Sequence, residues 1–147
     1  MKRLFCFFTL IISFKSSAQQ LIQWTYSSKQ ISNTVYDVYI RAQIPKPWHI
    51  YSQNMSLGAA IPTKIKFNKN PDVKRLGSIE ENGKLLSKHE FAFNVDVKYY
   101  EDSVVFRQRI RLFKSLEKTI SGTITYMMCS QKQCLPPKEV FFTINVP

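Results

Sequence analysis

The chain has 147 residues, and its 21 lysines and arginines against 10 aspartates and glutamates give a net charge of +11. It has no block of basic residues, zinc-ligand array or recognition helix, so this charge provides no nucleic-acid site and fits an acidic partner or a membrane surface better. No stretch approaches the roughly 18 to 20 consecutive apolar residues of a membrane-spanning helix.

Lys2 and Arg3 precede an apolar run from Leu4 to Phe14, and Ser16-Ser17-Ala18 ends it with small residues. This is the form of a secretory signal, so residues 1–18 are expected to be removed before Gln19. Cys6 leaves with that segment. Loss of Lys2, Arg3 and Lys15 lowers the net charge from +11 to +8, and Gln19 to Pro147 is a span of 129 residues with two cysteines. That is one domain, large enough to bury a core without disulfides, and export to an oxidising compartment permits the two remaining thiols to bond.

The first strand is expected from Leu21 to Tyr26, with Ser27 to Asn33 as a polar turn. Tyr36, Val38, Ile40, Ala42 and Ile44 then fall on one face of a second strand, with Asp37, Arg41 and Gln43 on the other. Pro45 and Pro47 end it. Trp48 to Tyr51 is a short extended piece, Gln53 to Ala60 a loop, Thr63 to Phe67 a strand, Asn68 to Asp72 a turn and Val73 to Ile79 a strand. Glu80 to Lys84 is expected to turn the chain. Lys88 to Tyr100 reads as strand, loop and extended chain again, and Glu101-Asp102-Ser103 as a turn before Val104, Phe106, Ile110 and Leu112 alternate with Arg107, Arg109 and Arg111.

Ile120, Gly122, Ile124, Tyr126 and Met128 alternate with Thr119, Ser121, Thr123, Thr125 and Met127, so Cys129 closes a strand. After Cys134-Leu135-Pro136-Pro137, alternation resumes at Val140, Phe142, Ile144 and Val146. Alternation exceeds helical periodicity in every window, which predicts an all-β protein: a single-domain antiparallel sandwich of about eight strands, immunoglobulin-like in architecture.

The chemistry concentrates in Cys129 and Cys134. They face each other across a hairpin loop with four residues between them, close enough in principle for a disulfide. Such a bond is a weak staple, worth about 2 kcal/mol by chain entropy, because the hairpin already holds its ends together. An exposed short-loop disulfide is suited to being made and broken, although a structural role stays open. His49 and His89 could join the cysteines in a zinc site, but the spacing is not that of a compact finger, and each reads more simply as a polar loop or strand residue. Arg107, Arg109 and Arg111 form a stripe that is either a solvated face guarding an edge strand or a docking surface. No Ser-His-Asp grouping, phosphate loop or carboxylate pair emerges.

Several blocks carry a resemblance. Pro47-Trp48-His49-Ile50-Tyr51-Ser52-Gln53-Asn54, Ile61-Pro62-Thr63, Tyr99-Tyr100-Glu101-Asp102 before Val104-Val105-Phe106, and Gly122 to Cys129 with Cys134-Leu135-Pro136-Pro137 are similar to the N-terminal domain of the thiol:disulfide interchange protein DsbD family. The resemblance covers nearly all of the chain after residue 18. It implies a periplasmic immunoglobulin-like domain, a protein-disulfide reductase-type component whose catalytic pair, Cys129 and Cys134, passes electrons between thioredoxin-like proteins and a membrane electron donor. It implies no metal or organic cofactor. Phe93 resembles the aromatic tip of a cap loop that shields the pair, and Tyr51 the tyrosine that packs near it. The family continues into a membrane domain and a thioredoxin domain after the region matched, so this segment is expected to relay electrons without carrying them across a membrane. The competing expectation is a secreted, non-enzymatic binding module in which the same bond is structural.

Overall fold

A computed structural model describes residues 22–55, 58, 60–90, 94–113 and 119–147. The described residues form two antiparallel sheets packed as an immunoglobulin-like sandwich. The strands are β1 (Gln23–Ser32), β2 (Val35–Gln43), β3 (His49–Tyr51), β4 (Lys64–Phe67), β5 (Val73–Glu90), β6 (Val95–Leu112), β7 (Thr119–Tyr126), β8 (Met128–Cys129) and β9 (Lys138–Asn145). The larger sheet runs β1-β2-β6-β3-β8, with β5 also on β6, and the smaller runs β4-β7-β9.

Alternation builds this core as expected. Tyr36, Val38, Ile40 and Ala42 of β2 and Val104, Phe106 and Ile110 of β6 point inward against Ile120, Ile124 and Tyr126 of β7 and Phe142 and Ile144 of β9. Trp24 lies edge-on to Tyr126 with ring centroids 5.3 Å apart, and Phe142 contacts Phe67 edge-on at 5.4 Å. Gly122 sits opposite Phe142 in the β7–β9 register. A Cβ there would come within 2.6 Å of the Phe142 ring, so the absent side chain is the space that ring fills.

Three expected turns are strand instead. Ser27 to Ser32 continue β1, because their polarity reflects an edge strand with solvent beside it. Glu80 to Lys84 lie within β5, whose register against β6 shifts between Leu76 and Glu80 and again between Gly83 and Leu85. Glu101 to Ser103 lie within β6, where Asp102 has φ 59°. These turn-forming residues act as irregularities inside long strands. Asp102 marks a handover: β6 pairs with β2 from Ser103 onward and with β3 at Tyr99 and Tyr100, while the Asp102 carbonyl accepts from Ile44 N at 2.8 Å.

Two carboxylates fix the larger sheet. Asp37, 2% exposed, lies opposite Arg109 in the β2–β6 register. Arg109 donates to it from Nε at 2.7 Å and Nη2 at 2.9 Å, and Arg107 from Nη1 at 3.0 Å, while Arg107 also reaches Glu80 on β5. Paired, charge-assisted bonds offset the cost of burying the carboxylate. Glu81 accepts from Ser52 Oγ at 2.6 Å, Tyr100 Oη at 2.9 Å and Gln53 N at 2.7 Å, which anchors the chain just after β3.

The arginine hydrogen bonds hold the Asp37 carboxyl below its ordinary range, Arg109 contributing most and outweighing burial. A depressed folded-state value contributes stability that is complete above the unfolded value, about 3.9, and lost as pH falls through the folded one. Asp37→Ala should therefore lower unfolding free energy at pH 7 by about 2 kcal/mol. Urea titrations of both proteins should show that difference narrowing below about pH 3.9.

Candidate functional site

The site forms where the chain changes sheets. β7 belongs to the smaller sheet, yet two residues past its end β8 pairs with β3 at the edge of the larger one. In the β3–β8 ladder, Ile50 lies opposite Met128 and His49 opposite Cys129. Successive side chains take opposite faces. Ile50 and Met128 therefore enter the main core, while Cys129 joins a second cluster with Tyr51, Met55 and Val97, against which Tyr99 and Met127 pack.

Cys129 and Cys134 form a disulfide, with S–S 2.00 Å and Cα–Cα 4.0 Å. The loop between them is held by Ser130. Its Oγ accepts from Lys132 N and Gln133 N, each at 3.2 Å, and its N–H donates to the Gln133 carbonyl at 2.8 Å. Leu135 N donates to the Met128 carbonyl at 2.8 Å, closing the hairpin below the bond. Cys129 is 1% exposed and Cys134 is exposed, so one cysteine of the bond lies in the packed cluster and the other at the surface.

The remaining sequence-predicted residues divide. Tyr51 is buried in the same cluster as Cys129, and burial raises its phenol above the ordinary value. Phe93 lies outside the described residues. Arg107, Arg109 and Arg111 lie on the half of β6 that pairs with β2, away from the half that meets β3. Two of them are engaged with Asp37, and Arg111 is exposed.

His49, which the sequence presents as a polar loop or strand residue, is instead a buried strand residue beside the disulfide. It is 5% exposed, with its ring 4.7 Å from that of Tyr99 and 5.3 Å from that of Tyr51. The available signal was its alternation with Tyr51 beside the proline-bounded end of β2, but only the register places it across from Cys129. No cluster of three or more metal-binding side chains occurs among the described residues. A groove beside the disulfide is lined by Trp48, His49, Tyr99, Lys88, Ser130 and Lys132 among others.

The profile of the family described as "Thiol:disulfide interchange protein DsbD, N-terminal" matches residues 18–145. Among solved structures, the N-terminal periplasmic domain of ScsB from Proteus mirabilis superposes with a TM-score of 0.59 at 13% identity, over 82% of this chain and 44% of that one. The reduced DsbD N-terminal domain of Neisseria meningitidis superposes with a TM-score of 0.54 at 15% identity, over 84% of each chain. At these identities the superpositions establish the fold, and the chain spans less than half of the Proteus structure. No curated protein matches the sequence.

The exposure difference has a direct chemical consequence, since alkylation requires access as well as thiolate. In the folded, reduced protein, iodoacetamide should modify Cys134 at least about tenfold faster than Cys129. Peptide mass analysis of a time course measures both rates, and unfolding in urea should erase the difference.

Proposed function

Because this chain belongs to the family of DsbD N-terminal domains, whose chemistry is thiol:disulfide interchange, we propose that it is a periplasmic exchange module relaying electrons between thioredoxin-like proteins and a membrane electron donor. The catalytic pair in this reading is Cys129 and Cys134, with residues 1–18 as the export signal and residues 19–147 as the working domain. The observation that carries the reading is a disulfide between an exposed cysteine and one backed by packed side chains.

The sandwich supports this reading by not depending on the bond. Both sheets close over a continuous apolar core, and Ser130 and the Leu135–Met128 hydrogen bond already hold the hairpin. Cross-linking a loop so short and so ordered adds about 2 kcal/mol at most by chain entropy. Opening the bond therefore leaves the fold in place, as a redox carrier requires.

Exchange passes through a mixed disulfide, so one sulfur must bond to the partner while the other waits to resolve that bond. The exposure of Cys134 supports giving it the partner bond, and Lys132 and Lys138, near it in sequence, favour its thiolate. Cys129 is then the resolving thiol. Tyr51 and Phe93 complete the reading as groups that shield the pair from small oxidants and stray thiols.

The test uses a thioredoxin-like partner whose own resolving cysteine has been replaced. Cys129→Ser should accumulate a stable mixed disulfide through Cys134, visible on a non-reducing gel, while Cys134→Ser should trap roughly tenfold less because its remaining sulfur is buried. Equal trapping, or trapping only through Cys129, would reverse the roles. No trapping by either variant, with no exchange by the wild type, would remove the relay.

A further inference from the structure

The exchange reading leaves one buried polar group beside the disulfide without a part. His49 lies directly opposite Cys129 in the β3–β8 ladder. Residues so paired project from the same face, with Cβ atoms about 4.5–5.5 Å apart. The imidazole is confined between Tyr99 and Tyr51, and its Nε2 is 3.4 Å from the Tyr51 hydroxyl. The charged groups around it are Lys88 and Glu90 from β5, Glu101 and Asp102 from β6, Lys132 from the cysteine loop, and Lys46 before β3. Burial, aided by Lys88 and opposed by Glu90, brings its pKa down to about 4. The ring is thus neutral at pH 7, with one N–H to donate.

Opening the disulfide creates a need at this point. This step rests on the exchange reading above. A partner thiolate attacks Cys134 Sγ and forms a new S–S bond, the Cys129–Cys134 bond breaks, and Cys129 Sγ departs with the electron pair as a thiolate. The partner's second thiolate then attacks its own sulfur in the mixed disulfide and expels Cys134. The partner leaves as a disulfide, and the two cysteine sulfurs take up the protons its thiols gave to solvent. In the first step the charge appears on Cys129, in the cluster of Tyr51, Met55 and Val97, where an unpaired thiolate is poorly solvated. A leaving thiol departs faster the lower its pKa.

We propose that His49 is the hydrogen-bond donor to the Cys129 sulfur, stabilising its thiolate as the disulfide opens and lowering its pKa in the reduced protein. When Tyr51 donates to Nε2, the ring proton is on Nδ1 and free for the sulfur. A neutral donor suits the task because it adds no titration of its own near pH 7, so the support is constant across the neutral range. The Tyr99 and Tyr51 rings hold the imidazole in place, which makes it a preorganised donor.

The thiol pKa of Cys129 is the direct readout, measured by 13C NMR of Cβ-labelled cysteine in a Cys134→Ser background. Adding His49→Phe should raise it by about one pH unit or more, a tenfold loss of thiolate at fixed pH. His49→Gln, whose amide N–H can donate, should recover part of the shift. Lys88→Gln serves as the comparison for general electrostatics and should move the value less than His49→Phe. In the wild-type protein, which guards against a variant that fails to fold, the His49 imidazole 15N signals should change when the disulfide is reduced. An unchanged Cys129 pKa in a folded His49→Phe variant, a larger shift from Lys88→Gln, or 15N signals identical in both redox states would each overturn the assignment. None of these measurements requires a partner, so failure of the relay would appear separately, as absence of exchange by the wild type.

Discussion

The two-residue ladder between β3 and β8 is the interaction on which the site depends. It pulls the chain from the smaller sheet onto the edge of the larger one directly after Tyr126, and its register sorts the side chains between two faces. Ile50 and Met128 close the main core, which secures the ladder by burial. The same pairing turns His49 and Cys129 the other way. A slip of one residue would send Cys129 into the main core and Met128 into the second cluster, so the hydrophobic pattern itself sets which face of the sheet the disulfide takes.

Around that ladder the larger sheet is held by carboxylates rather than by the disulfide. Asp37 joins β2 to β6 through two arginines, one of which continues to Glu80 on β5. Glu81 joins β5 to Tyr100 on β6 and to the backbone that leaves β3. Glu81 thus supports the chain beside the site, the Asp37 cluster holds the far half of β6, and the cysteine loop stays at the edge. On the proposed exchange function, a scaffold of this kind separates stability from reactivity, because the contacts that hold the sheets do not pass through the disulfide.

The fold class was legible because period-two alternation is strong in β2, β6, β7 and β9, where one face meets the core. The expected turns at Ser27–Asn33, Glu80–Lys84 and Glu101–Ser103 were misread for a common reason. Polar and turn-forming residues also occur at sheet edges and at irregularities inside long strands, and local composition does not distinguish these from chain reversals. At the site, the cysteine spacing and its strand context were legible. The place of His49 was not, since it depends on a long-range register. The arginine stripe was legible as one face of a strand, but that strand is central, paired with both β2 and β5 rather than an edge, and its pairing with Asp37 needed two strands far apart in sequence to be brought together.

The central claim is that Cys129 and Cys134 are a working redox couple on a scaffold that stands without their bond. Its reduction potential, obtained by equilibrating the protein in defined thiol–disulfide buffers and quantifying the trapped thiols by mass, tests this most directly. A relay that trades electrons with thioredoxin-like proteins should equilibrate between about −200 and −270 mV, with the reduced protein still folded. A potential below about −300 mV, the range of structural disulfides, or loss of the fold on reduction would contradict it.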